Sequence, residues 1–177
     1  MEIFYGRPND ISGRTEREIK AYDFLDSLGI EYQRVDHEPA MTMEACVEID
    51  KALGVAMCKN LFLCNRQQTE YYLLLMSADK QFKTKELSAQ IGAARLSFAS
   101  AEKMQELLGI TPGSATLLGL INDAANTVTL LLDNDILQEE YIGMHPCMNT
   151  SSIRVKTDDV IKKIIPKLCN TVIKVYL

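Results

Sequence analysis

Two short apolar runs constrain this chain more tightly than any other feature. Residues 60–65 (NLFLCN) and 70–77 (EYYLLLMS) are dense in leucine and aromatic side chains, and only the polar string RQQT separates them. Aromatic-rich apolar runs this short, bounded by polar turns, suit buried strands, and their closeness makes them a hairpin. A sheet is therefore the framework on which the other segments must be placed.

Upstream, after a leader (MEIFYGRPNDIS) expected to pack without a repeating pattern, Thr15 and Glu18 stand at capping-box spacing. Ile19, Tyr22, Leu25 and Leu28 then recur at helical period up to Gly29, a residue suited to ending a helix. Residues 30–37 (IEYQRVDH) alternate as a strand does. Pro39 breaks the chain before a second helical segment over 42–53. A short helix over 83–91 stopped at Gly92, a short strand over 96–99 and a helix capped by Ser100 and running to Leu108 follow. Beyond them are a strand over 127–132, an acidic turn (DNDILQEE), short strands near 141–144 and 152–156, a helix over 158–167 and an alternating last strand over 170–177. Adjacent strands with helices between some of them predict an α+β (mixed α/β) fold with one central, mostly antiparallel sheet flanked by helices. No linker interrupts the 177 residues, so 1–177 is expected to be a single domain.

Composition narrows the function. With 47% hydrophobic and 24% charged residues, nothing points to disorder, coiled coil or repeats. A net charge of −5 argues against a protein that coats nucleic acid non-specifically, because such binding scales with the phosphates neutralised; a local basic patch remains open. The five cysteines are odd in number and scattered without a CxxC pair, which fits reduced thiols better than a disulfide frame or a zinc site. Two histidines, His37 and His145, are too few for a histidine-rich metal site. No apolar run approaches the ~20 residues of a membrane span, and the first residues lack the basic-then-apolar order of a signal peptide. No P-loop, GxGxxG, HExxH, GxSxG or EF-hand pattern is present. The expectation is a soluble, cytoplasmic protein with no cofactor and no metal.

Candidate chemistry gathers around residues 107–133. An apolar helix end there breaks into a loop carrying Gly109, Thr111, Pro112, Gly113, Ser114 and Thr116. A loop so small and so rich in glycine lets a ligand approach backbone N–H and C=O groups closely enough to hold an oxyanion or a hydroxyl. A plain turn between a helix and a strand accounts for the same residues. Lys59, at the mouth of the strand CKNLFL, reads either as a solvated edge residue or as a cation facing a phosphate or carbonyl oxygen. His145, followed by Pro146 and the small polar residues Asn149, Thr150, Ser151 and Ser152, lines either a pocket or a turn; His37 has weaker context. Lys80, Lys83, Lys85 and Arg95 share their stretch with Asp79 and Glu86, as a solvated helix face or a resting place for a few phosphates.

Taken together, KNLFL (59–63), Tyr72-Leu73, LSFAS (96–100), LLGITPGSAT (107–116), LGLIND (118–123) and HPCMNTSS (145–152) resemble the YbaK/ProX family of aminoacyl-tRNA deacylases, nearest the ProX (PrdX) branch. These are the free-standing relatives of the editing insertion of bacterial prolyl-tRNA synthetase, and the resemblance covers nearly the whole chain. It implies a mixed α/β fold and hydrolysis of mischarged tRNA, typically Ala-tRNA(Pro), because a synthetase pocket built for proline admits the smaller alanine. It gives Lys59 the role of the family's lysine near the terminal adenosine's phosphate or the ester. Gly113, Ser114, Ala115, Thr116 and Leu117 fall on the family's GxxxP loop, whose backbone groups would bind the ester region and the ribose hydroxyl. His145 takes the place of the family's histidine near the aminoacyl pocket, with Asn149 and Thr150 beside it. Leu117 stands where the family has proline, and leucine, which leaves φ free, is expected to loosen the loop or alter substrate choice.

The expected partner is thus aminoacylated tRNA(Pro), met by Lys80, Lys83 and Lys85 through weak, salt-sensitive contacts or through prolyl-tRNA synthetase, with no membrane involved. Aminoacyl esters are activated, so a site with one lysine and backbone donors, which positions water and steadies an oxyanion, is chemically sufficient. A non-catalytic module that senses an aminoacyl-tRNA or an amino acid is the alternative on the same fold.

Overall fold

The computed structural model describes every residue except 41 and 42. Its strands are β1 (Phe4–Tyr5), β2 (Tyr32–Asp36), β3 (Lys59–Asn65), β4 (Tyr71–Met76), β5 (Leu96–Phe98), β6 (Val128–Asp133), β7 (Tyr141–Met144), β8 (Ser151–Lys156) and β9 (Val172–Val175). Its α-helices are α1 (Glu16–Ser27), α2 (Met43–Leu53), α3 (Thr84–Ile91), α4 (Ala101–Leu108), α5 (Thr157–Asp159) and α6 (Ile165–Leu168). The fold is mixed α+β with predominantly antiparallel pairing, as the pattern of runs predicts. The strands divide, however, between two sheets: a four-stranded antiparallel sheet in the order β1-β2-β8-β7 and a five-stranded sheet in the order β5-β3-β4-β6-β9. In the larger sheet β4, β6 and β9 run parallel to one another. Alternation along a strand reveals that it has two faces but not which sheet it joins, which is why the reading of one sheet divides into two here.

The hairpin pairs from Lys59↔Met76 to Cys64↔Tyr71. Strand β4 is buried at every position because both of its faces are covered. Tyr71, Leu73 and Leu75 face a core that also takes Ile153 and Val155 of the smaller sheet, Tyr22 and Leu25 of α1, and Val160, Ile164 and Leu168 near the C-terminus. Tyr72, Leu74 and Met76 face a second cluster with Leu87 of α3. Each buried leucine of this strand contributes about 2 kcal/mol by leaving water. Helix α2 covers the outer face of the smaller sheet, packing Ile49 and Leu53 on Val35, and Arg154 donates from Nη1 to Leu53 O at 2.7 Å to cap its end.

Several local expectations are refined. Thr15 does occupy the N-cap of α1, but its hydroxyl makes no cap bond and is buried without a partner, while Glu18 turns instead to Arg14 and Tyr22. The expected start of the second helix at Thr42 lies outside the described residues. The helix expected over 158–167 begins at Thr157 and carries a π segment (Val160–Ile164) between α5 and α6. Pro166 lacks the N–H that would continue the α ladder, and the turn ahead of it is the widened one. Gly92 and Gly109 end α3 and α4 in the left-handed conformation, and Ser100 accepts from Lys103 N as a true N-cap.

The two sheets touch where function is expected. Met57 forms a parallel bridge with Gly143, and the Cys58 N–H donates to Gly143 O at 3.1 Å. A Cβ on residue 143 would lie 2.9 Å from Met57 Sδ and 3.1 Å from Ala56 O, so any larger residue would push the two segments apart and glycine suits this close approach. The contact joins the mouth of β3, with Lys59, to β7, which leads directly to His145.

Candidate active site

His145 follows β7 and precedes Pro146, whose ring holds the preceding residue extended. Its Nδ1 lies 2.9 Å from Ser151 O and 3.3 Å from Ser152 Oγ. A carbonyl oxygen only accepts, so Nδ1 bears the hydrogen and the neutral ring keeps Nε2 as a bare acceptor. Burial lowers the His145 pKa, the Ser151 carbonyl partly offsets this, and nearby His37 adds to the depression. The neutral ring is therefore the form present at neutral pH, as a general base requires.

The glycine-rich loop is tied to this histidine. Thr116, fully buried, donates from Oγ1 to His145 O at 2.7 Å and caps the following 3-10 turn (Leu117–Asn122) by accepting from Leu118 N. Gly113 has φ +86°, a left-handed conformation strained for any L side chain, and its absent Cβ would sit 3.7 Å from Asn149 Nδ2. Ser114 is buried and its N–H donates to Thr111 O at 3.0 Å. Among the described residues, the N–H groups of Gly113, Ala115 and Thr116 carry no such bond; those of the exposed Gly113 and half-buried Ala115 are left as donors at the loop surface, whereas Thr116 is fully buried. Asn149 and Thr150 are half-buried in the turn after His145, and Thr150 O accepts from the His37 N–H at 3.0 Å. The structure thus gathers Gly113, Ser114, Thr116, His145, Asn149 and Thr150 into one place.

The lysines are distributed differently. Lys59 is exposed, and its Nζ donates to Lys80 O at 2.6 Å; no hydrogen bond or ion pair joins it to the loop or to His145 among the described residues. Lys80 is held by Asp133 at 2.8 Å and Asp135 at 2.7 Å and donates to Leu177 O, so its charge is neutralised within the molecule. Lys83 forms an exposed pair with Glu86, and Lys85 is exposed on α3. A cluster that looks basic along the chain is therefore partly consumed by acids distant in sequence. A cavity of about 570 Å³ lies elsewhere, lined by residues that include Cys58, Asp79, Glu139, Glu140 and Tyr141. Its acidic wall suits no phosphate-bearing substrate.

Further polar groups surround the site. His37 Nε2 lies 2.9 Å from Ser152 Oγ, placing the second imidazole beside the first. Tyr22 OH donates to Glu18 at 2.9 Å and lies 3.2 Å from Ser151 Oγ, and Asp36 is gripped by Arg14 and Arg34, so the floor of the site is a buried polar network. Asn60, directly after Lys59, donates to Cys58 O and leaves its Oδ1 buried without a partner.

With this geometry in view, comparison with known proteins fixes the class. The fold matches the crystal structure of a candidate trans-editing enzyme for prolyl-tRNA synthetase with a TM-score of 0.68 at 16% identity, over 92% of this chain and 98% of that one. Residues 37–163 match the aminoacyl-tRNA editing domain, and the chain belongs to this family, whose members deacylate mischarged tRNA. It is 31% identical over 147 residues to the prolyl-tRNA editing protein ProX of Acetoanaerobium sticklandii, covering 83% of this chain and 89% of that protein. It is also 30% identical over 139 residues to mouse (Mus musculus) prolyl-tRNA synthetase associated domain-containing protein 1, covering 76% and 82%. The matched span includes His37, Lys59, the loop and His145. No helix among the described residues is long and apolar enough to cross a membrane.

Proposed function

We propose that this protein removes alanine from mischarged tRNA(Pro) by hydrolysing the aminoacyl ester. The observation that carries the reading is His145, neutral and with Nε2 bare, locked through its own carbonyl to the glycine-rich loop by Thr116. Water held by Nε2 attacks the ester carbonyl and passes a proton to the ring. The N–H groups of Gly113 and Ala115 meet the developing oxyanion, and the terminal ribose oxygen leaves with the proton that His145 returns. Ser114, Asn149 and Thr150 line the aminoacyl side. Lys59 exchanges Lys80 O for the phosphate of the terminal adenosine, and Lys83 and Lys85 add salt-sensitive attraction to the acceptor stem. Lys80 supports Lys59 through its carbonyl, its own ammonium being spent on Asp133 and Asp135. Prolyl-tRNA synthetase is the proposed source of the substrate and partner in its delivery. The relatives named for prolyl-tRNA editing support this choice of tRNA.

Single-turnover hydrolysis of Ala-tRNA(Pro) tests the role of His145. Replacing a general base costs roughly a hundredfold or more in rate, so His145→Ala is expected to lose at least that much. Because the His145 pKa is depressed, wild-type activity persists below the pH at which an ordinary histidine would protonate. An unimpaired His145→Ala protein would remove the base from the mechanism. Absence of turnover on every aminoacyl-tRNA would favour the sensing module instead.

A further inference from the structure

The ladder between β2 and β8 ends at Asp36↔Ser151, and one further bond, from the His37 N–H to Thr150 O, carries it past that point. This step sets the His37 ring beside the buried Ser152, with the centroids of the His37 and His145 rings 6.4 Å apart. Ser152 Oγ lies 2.9 Å from His37 Nε2 and 3.3 Å from His145 Nδ1, so a single hydroxyl joins the two imidazoles. The hydrogen positions along this chain are fixed by its ends. Ser151 O can only accept, which puts a hydrogen on His145 Nδ1. Glu38 O, 2.8 Å from His37 Nδ1, can only accept as well, so neutral His37 presents a bare Nε2 to the serine. Ser152 therefore donates to His37 and accepts from the His145 Nδ1–H, which it shares with the Ser151 carbonyl. Every hydrogen in the chain points from the candidate base toward His37.

We propose that Ser152 and His37 are positioning residues that carry a proton away from His145 and back during each turnover. This rests on the reading of His145 as the base. As water attacks the ester, its proton bonds to His145 Nε2, the Nδ1 proton passes to Ser152 Oγ, and the Ser152 hydroxyl proton passes to His37 Nε2. The proton taken from water is then balanced by the one gained at His37, and His145 is neutral with hydrogen on Nε2. When the ribose oxygen departs, Nε2–H is delivered to it while the proton returns from His37 through Ser152 to Nδ1, restoring the resting arrangement. Burial makes an imidazolium at His145 costly, whereas His37 lies against exposed Glu38, where water can solvate the charge.

The test is single-turnover hydrolysis of Ala-tRNA(Pro) in mixtures of light and heavy water, for wild type, Ser152→Ala, His37→Ala, the double variant and His145→Ala. The wild-type rate is expected to fall with deuterium fraction along a curve, because more than one proton moves, and along a straight line in Ser152→Ala. Ser152→Ala and His37→Ala each lose roughly tenfold to a hundredfold in kcat with KM unchanged, and the double variant is no slower than the slower single. Added imidazole restores His37→Ala, an outcome that loss of a structural contact would not give. It also keeps the proposal open to refutation if Ser152→Ala fails to fold. A straight wild-type line, wild-type rates in both single variants, or no rescue by imidazole overturns the relay. In that event an inactive His145→Ala leaves His145 standing as the base, whereas a fully active His145→Ala removes the base and the relay together.

Discussion

Asp36 shows how one carboxylate sets both stability and site. Burial pushes its pKa up, but hydrogen bonds from Arg14 and Arg34 outweigh that and hold it at about 2. An unfolded aspartate titrates near 4, so the group binds fewer protons when folded. Its contribution, roughly 2 kcal/mol, is complete above pH 4 and is lost as pH falls through about 2. Urea unfolding of wild type and Asp36→Asn across this window is expected to show a pH-dependent gap that closes at the acid end; a constant gap would contradict the assignment. Asp36 immediately precedes His37 and pairs with Ser151, so this anchoring also fixes the backbone of the two-histidine site. His145 was legible in the sequence as a candidate because it begins the string of small polar residues. His37 was not, because its partner Ser152 is 115 residues away and a lone histidine carries no local pattern. The capping box misled for a related reason: Glu18 has better partners in Arg14 and Tyr22 than the helix N-terminus.

At the scale of elements, the apolar runs, glycine stops and Ser100 cap were readable because local chemistry decides them, and the structure has a helix or strand in each corresponding place. The division into two sheets was not readable, because it depends on partners distant in sequence. Leu117 illustrates what local geometry adds. It is fully buried as the first residue of the 3-10 turn, where its N–H needs no acceptor within the turn, and Thr116 before it is extended at φ −159° and ψ 151°. That is the conformation a residue preceding proline adopts, and the first position of a turn accommodates proline. The sequence leads one to expect a looser loop with leucine here, yet Thr116 already holds the loop through His145 O. Leu117→Pro is therefore expected to fold, with stability changed by no more than about 1 kcal/mol, since a small loss of apolar contact is offset by a stiffer unfolded chain. Thermal unfolding checks this, and destabilisation beyond about 3 kcal/mol would mean the Leu117 side chain is what holds the turn.

Across the whole molecule, the charges sort into those that hold the fold and those free to meet a ligand. Lys80 looked like a phosphate contact because the acids that engage it, Asp133 and Asp135, lie more than fifty residues later in the chain. Asp133 is fully buried, and removing its partner leaves an unpaired charge inside the protein. Lys80→Met is expected to cost about 3 kcal/mol in denaturant unfolding, whereas Lys83→Met, at an exposed pair, should cost less than about 1 kcal/mol. Equal effects would contradict this division. The measurement that tests the central claim most directly is hydrolysis of Ala-tRNA(Pro), Pro-tRNA(Pro), Ser-tRNA(Pro) and Ala-tRNA(Ala) side by side, by wild type and Lys59→Ala. Rapid loss of Ala-tRNA(Pro) with Pro-tRNA(Pro) spared, and a severely slowed Lys59→Ala, is the predicted result. Hydrolysis of Pro-tRNA(Pro) as fast as Ala-tRNA(Pro), or undiminished activity without Lys59, would contradict it.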